Sequence, residues 1–457
     1  MSVLVYLLFV SILGIIVYGD SQKRFMAFFA GTVLFPNVCL FIKSPSISPQ
    51  HIILYLYLAV ELIKFPDEFR KGLLRNPVYI PLLICCFSYF LTALFNKGVL
   101  SIDMYYGVRD FVDTFAYLIV AYIAGMRFSK HEFAKGILVF IVVCCFFGIA
   151  EGMLNANYPH KFIGLAFPKY DGLYNLDSSI SLSQNWRIRT CFTTKHPTAF
   201  ATLLMTMFLF YLPYLKEQII ERSKVILVLS LLGINILLCG SRTGIVCVLL
   251  GIFLYVIDKL NIILKIFIWG MLLFSSSLIL AFMLSQFAHS TGSGSSLDFR
   301  TRQLIFSIVT IEDSPIFGNG NNYASHNLFE ENDKGQMRIE DESGTDMGGL
   351  ESMVFKLLID RGFVGLLSYY LLLAWLLVFF YWNRNKFERN DAFVNVIVGT
   401  AFLTLSGSIG NSSSFIFTIL GLELGHISRL KKEHEDAEDE QRLKAISAAA
   451  NNQKVKV

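Results

Sequence analysis

Residues 225–257 read VILVLSLLGINILLCGSRTGIVCVLLGIFLYVI. Two apolar runs meet across Gly240, Ser241, Arg242 and Thr243, and Arg242 is the one charge in the stretch. Each run is about the length that crosses a bilayer as a helix. The runs are continuous rather than alternating, which excludes an outer-membrane barrel. The same pattern recurs outward along the chain, in blocks near 3–18, 25–42, 51–65, 78–95, 107–125, 136–153 and 191–215. It continues with 225–239, 244–258, 262–286, 363–382, 392–408 and 412–427. The expected fold is an all-α polytopic membrane protein of twelve or thirteen spans, because lipid leaves a spanning backbone no partners outside its own helix.

Composition agrees. Of 457 residues, 54% are hydrophobic and 16% charged, and mean hydropathy is +0.55. Soluble domains carry about 25% charged residues. A cytoplasmic enzyme, a secreted module and a nucleic-acid binder are therefore excluded as classes. Lys+Arg 39 against Asp+Glu 35 leaves only +4. The eight cysteines lie in or beside apolar blocks, without CxxC or Cys/His spacing, so neither a disulfide framework nor a zinc site is expected. The first block lacks a basic leader and a small-residue cleavage site, and reads as a retained span.

Basic segments at Lys23/Arg24, Lys64–Arg75, Arg127–Lys135, Lys216–Lys224, Lys259/Lys265, Arg384–Arg389 and Arg429–Lys432 all fall on one side if the blocks alternate. Cytoplasmic loops carry that excess. The expected organisation is helices 1–10 over 1–286, with an outer loop at about 154–190. A large outer loop with short helices follows at 287–362, then the last helices at 363–428 and a charged cytoplasmic tail at 429–457. The pair 392–427 reads either as two tilted helices or as a re-entrant pair. Neither a repeat nor the inverted symmetry of transporters is visible.

Charges at a membrane edge are expensive and mark functional candidates. Arg242 has two readings. One is a fixed cation aimed at a phosphate, with Thr243 and Gly244 opening a helix whose N-terminus favours an anion. The other is a snorkelling side chain on a tight turn. Arg187, Arg189, Lys195 and His196 lie in WRIRTCFTTKHP on the outer side. Against the positive-inside bias they suggest a polyanionic ligand, or attraction to anionic headgroups. Pro197 suits a first helical turn. Arg300 and Arg302 open the late loop, and SPIFGNGNNYASHNLFE shapes turns around His326. That histidine is either a general base or a loop residue making one hydrogen bond. Arg109, Asp110 and Asp113 are expected to pair with one another. The acidic run from Glu330 to Asp346 lacks calcium-loop spacing.

Walker A, HExxH and GxSxG signatures are missing, as is an early DxD-type pair. A metal-independent chemistry of arginines and a histidine is expected, without a cofactor.

The SRTG turn, the arginine-to-HP stretch, PIFGNGNNYASHN and KLLIDRGFVGLLSY together resemble the O-antigen ligase/polymerase superfamily, bacterial C-type glycosyltransferases of the inner membrane. The resemblance implies transfer of a glycan from undecaprenyl pyrophosphate to an acceptor hydroxyl at the periplasmic face. The acceptor is another lipid-linked repeat or a sugar of the lipid A core, and a flippase and a chain-length regulator are expected partners. It implies that Arg242 and Arg189 clamp the pyrophosphate with Arg302 or Arg300 assisting, that Arg187, Lys195, His196 and Asn327 lie in the substrate site, and that His326 is the base. Ligases show His-Asn followed after nine residues by glycine; here His326-Asn327 is followed at that place by Met337. Polymerases show an arginine and a glycine separated by fifteen residues, which Arg302 and Gly318 match. The balance tilts toward polymerase. A transporter or flippase of the same lipid-linked glycan is the alternative.

Overall fold

The computed structural model describes residues 2–35, 41, 47–96, 100–167, 189–194, 196–257, 296–324, 328, 330–331, 337–338, 352–384, 390–406 and 411–454. Those residues are almost wholly helical. The helices are α1 (Ser2–Tyr18), α2 (Ser21–Leu34), α3 (Pro49–Lys64), α4 (Pro66–Leu74), α5 (Tyr79–Phe95), α6 (Leu100–Arg127), α7 (Lys130–Leu154) and α8 (Tyr158–Ala166). Then come α9 (Pro197–Tyr211), α10 (Tyr214–Glu217), α11 (Arg222–Cys239), α12 (Arg242–Ile257), α13 (Ser296–Thr310), α14 (Met353–Arg384), α15 (Asn390–Ser406) and α16 (Asn411–Lys454). A two-residue strand pair, Glu330–Glu331 with Met337–Arg338, is the remaining regular element described.

Every apolar block except 262–286 overlaps a helix, and that block lies outside the described residues. Among the described residues four helices are long and apolar enough to cross a membrane (Lys130–Leu154, Pro197–Glu217, Arg222–Cys239 and Met353–Arg384), and a fifth span arises if the bent pair α4–α5 counts as one. The two members of that pair meet at 87°. The stretch 392–427 forms two helices, α15 and α16.

A helix that is apolar all round belongs inside the bundle. α9 and the first half of α16 are such helices, and nearly every residue of each is buried. α16 packs closely along α6. A Cβ at Gly421 would lie 2.4 Å from the Leu118 carbonyl oxygen, and one at Gly425 2.2 Å from that of Tyr122. The Gly421-x-x-x-Gly425 spacing thus lets two backbones touch, the packing device available where lipid supplies no hydrophobic drive. From Lys431 to Lys444 the same helix is exposed and carries i,i+4 pairs such as Lys431–Glu435 and Lys444–Glu440.

Side-chain contacts sort the helix ends into two sets. At one end Glu61 accepts from Arg127 at 2.6 Å and pairs with Arg24 at 3.4 Å, Arg127 also reaches Glu68, Lys130 pairs with Asp391, and His131 with Glu217. The Arg24 and Arg127 guanidiniums also stand over the Phe65 ring, 4.9 and 4.6 Å from its centre. At the other end His51 meets Asp113, Asn96 meets Asp103, Thr193 donates to the Val33 carbonyl, and Ser352 to that of Thr404. These are the two sets that the alternation of basic segments requires. Glu61 and Arg24 are 1% and 2% exposed. Removing one partner of a buried ion pair costs about 3–5 kcal/mol. Glu61→Leu is therefore expected to lower the melting temperature of the detergent-purified protein sharply, followed by tryptophan fluorescence; melting within a degree of wild type would show the network to be dispensable.

Candidate functional site

At the end of the bundle opposite the basic segments, the α11–α12 turn is closed by small residues. Gly240 takes φ +60°, a left-handed conformation that glycine adopts without strain. Ser241 caps α12, its hydroxyl accepting from the Gly244 N–H at 3.3 Å. Neither task falls to Arg242. Its guanidinium is exposed and has no protein partner among the described residues. It stands on the first residue of α12, where unpaired N–H groups favour an anion.

Arg189 approaches the same turn from another part of the chain. Its Nε donates to the Cys239 carbonyl at 2.9 Å and lies 3.4 Å from where a Gly240 Cβ would stand. The Thr190 N–H reaches the Leu238 carbonyl at 3.4 Å. The structure thus brings together two of the arginines singled out in the sequence. His196 is the N-cap of α9, its Nδ1 accepting from the Thr198 N–H, and Pro197 occupies the first turn. Arg187, Lys195, His326 and Asn327 lie outside the described residues. Arg302 is exposed on α13. For Arg300 the backbone of that helix is described and its side chain is not.

The block placed at 191–215 needs correction. The helix starts at Pro197, and residues 189–194 form a buried irregular strap. Proline disfavours the helical conformation in the residue before it, and the strap's backbone finds its partners elsewhere. Glu151, on the last turn of α7, accepts from the N–H groups of Cys191 (3.1 Å) and Phe192 (2.8 Å) and from Asn157 Nδ2 (2.9 Å). Asn157 Nδ2 also reaches the Phe192 carbonyl, and His160 Nε2 the Thr194 carbonyl, both near 2.9 Å.

A second irregular stretch, 315–324, leads toward His326. It is built on a break in α14 at Gly362, φ +60°, ψ −158°. An unbroken helix would pair Phe363 N–H with the Ile359 carbonyl and Val364 N–H with that of Asp360. Here Phe363 and Val364 donate to Pro315 and Ile316, while Ile359 and Asp360 accept from Asn319 and Gly320, all between 2.9 and 3.1 Å. Asp360 Oδ1 then accepts from the Ala324 N–H at 2.7 Å. Arg361, 1% exposed, reaches Asn321 and Asp110 at 3.2 Å each and stacks 3.5 Å over the Tyr89 ring. Asp110 accordingly pairs with Arg361, and only Arg109 and Asp113 pair with each other, at 3.5 Å, which corrects the expected triad. The helical register places Arg361 against α5 and α6, within Asp110's reach.

Glu151, Asp360 and Arg361 escaped the sequence reading. For Glu151 the signal was present, as a charge inside the apolar block 136–153, which lipid penalises; Asp360 and Arg361 stand just before the block 363–382, in a stretch read as outer loop.

Two outcomes follow. A Cβ at Gly362 would lie 2.5 Å from the Pro315 oxygen. Gly362→Ala is therefore expected to cost upwards of about 1–2 kcal/mol from backbone strain alone, and to expose 315–324 to limited proteolysis. Burial holds the His160 imidazolium pKa down, from 6.5 to about 4. The unfolded chain binds that proton below pH 6.5 and the folded chain only near pH 4, so stability present at pH 7 is lost as pH falls between those values. At pH 5 the loss is about 2 kcal/mol. His160→Gln should show a smaller drop in melting temperature from pH 7 to pH 5 than wild type.

Residues 225–370 match the family model described as O-antigen ligase. The match runs from α11 into α14 and contains Arg242, Arg300, Arg302, His326 and Asn327. It supports the O-antigen ligase/polymerase superfamily and that general type of function. No curated protein matches the chain.

Proposed function

We propose that this chain is a glycosyltransferase that extends or attaches surface polysaccharide in the bacterial inner membrane. Its donor is a glycan on undecaprenyl pyrophosphate, and its acceptor hydroxyl belongs to another lipid-linked repeat or to the lipid A core. The bundle end opposite the basic segments is the periplasmic face. The observation that carries this reading is the convergence of Arg189 and the free guanidinium of Arg242 on one turn, at the N-terminus of α12.

The chemistry needs two things. The acceptor oxygen attacks the anomeric carbon, whose bond to the pyrophosphate oxygen breaks. Negative charge grows on the leaving pyrophosphate, and fixed guanidiniums stabilise it without reorganising. The acceptor proton must leave, and His326 takes it as general base. Arg302, with Arg300, lies on α13 to assist, and Arg187, Lys195, His196 and Asn327 contact the glycan or its phosphates. A donor activated by pyrophosphate needs no metal.

Polymerase is favoured over ligase. The Arg302–Gly318 spacing supports it, and Gly318 takes φ +72° where a Cβ would lie 2.5 Å from the Arg361 nitrogen, so only glycine fits there.

Arg242→Ala is expected to reduce transfer by the purified protein by about 10²–10³, with the fold intact; near-wild-type turnover would remove Arg242 from the mechanism. Deleting the gene and resolving lipid-linked and surface glycans on gels tests the function. Surface chains reduced to one repeat unit identify a polymerase. Long chains retained on undecaprenyl pyrophosphate identify a ligase. Unpolymerised units held on the cytoplasmic side overturn both and assign a flippase.

A further inference from the structure

We infer that Glu151 is a positioning residue for the pyrophosphate clamp, acting on Arg189 through the strap 189–194; this rests on the reading of Arg189 and Arg242 as that clamp. Glu151 is 1% exposed, and its two oxygens are occupied by Cys191 N–H, Phe192 N–H and Asn157 Nδ2. It therefore touches no substrate. Two successive backbone N–H groups converging on one anion form a concave nest, which requires a residue in the left-handed region. Phe192 supplies it at φ +51°, a conformation costly for an aromatic residue. The Glu151 side chain offsets that strain by accepting both N–H groups on its two oxygens.

Besides Thr193 on the Val33 carbonyl and the contacts of Asn157 and His160, the strap is moored on the turn it serves. Thr190 N–H meets the Leu238 carbonyl, Thr190 Oγ1 meets Cys239 Sγ, and Arg189 Nε meets the Cys239 carbonyl. Glu151 holds the strap one and two residues beyond Thr190. Residues 189–190 are thus stretched between α7 and the α11–α12 turn. The position of the Arg189 guanidinium beside Gly240 depends on both moorings. Glutamine in place of Glu151 keeps the shape but turns an NH₂ toward one of the two N–H donors.

The test uses full-length protein in nanodiscs and glycan-free undecaprenyl pyrophosphate as probe, with Kd measured for wild type, Glu151→Gln, Arg189→Ala, Arg242→Ala and the Glu151→Gln/Arg189→Ala double variant. Glu151→Gln should weaken binding about tenfold, and the double variant should bind within twofold of Arg189→Ala, because Glu151 acts through Arg189. A merely structural role would lower the active fraction without this non-additivity. Wild-type affinity of Glu151→Gln, or losses that multiply in the double variant, would overturn the inference. If Glu151→Gln does not fold, Asn157→Ala, which removes one of the three donors to the carboxylate, takes its place with a several-fold loss expected. If Arg189→Ala and Arg242→Ala both bind as wild type, it is the pyrophosphate reading that fails. Amide exchange then decides the positioning. At least tenfold faster exchange at 190–192 in Glu151→Gln, with Arg189 newly modified by phenylglyoxal, sustains it, and unchanged exchange overturns it.

Discussion

Inside a bilayer every backbone N–H and C=O needs a partner within the protein. The break of α14 at Gly362 meets that demand by exchange. Two helical donors and two helical acceptors leave their own ladder, and residues 315–320 take all of them. Loop and helix thereby become one unit, with Arg361 fastening it to α5 and α6 through Asn321, Asp110 and the Tyr89 ring. The same rule governs the strap 189–194, where a buried carboxylate and an asparagine replace the missing helical partners. Both of these irregular segments are thus held by buried charged groups belonging to helices.

This arrangement divides the charged residues by what surrounds them. Arg361, Arg24 and Glu61 are almost fully buried and ion-paired, so their work is to fix geometry. Arg242 is exposed on a turn that glycine and serine already close, so its charge is available to a ligand. The cap of that turn is Ser241, a task Arg242 therefore does not perform.

Much of the fold was legible in the sequence because two signals act over long stretches. Continuous hydrophobicity located the helices to within a few residues, as at α7 and α11, and lysine and arginine placement sorted their ends. What stayed hidden was local. CFTT before His196 is apolar enough to extend a helix, and nothing in its pattern reveals that Glu151, some forty residues earlier, will claim its N–H groups. IDRG likewise reads as an ordinary stretch of helix. Its break arises because a distant glycine-rich loop offers matching donors and acceptors.

The candidate site was legible to a different degree, for a related reason. Arg242 stood out because one cation between two apolar runs is visible in a short window. Its association with Arg189 came only from the family resemblance, since fifty residues separate Arg189 from the Cys239 carbonyl that holds it. Distance along the chain hides a contact, but the energetic cost of a buried charge does not depend on that distance. Glu151 interrupts an apolar block, and Asp360 and Arg361 immediately precede one; the two carboxylates accept from backbone N–H groups of irregular segments, and Arg361 holds Asn321 of one. In a membrane protein of this kind, a charge within a span thus points to the place where a neighbouring segment leaves regular structure, and that is where a site for polar chemistry can be built.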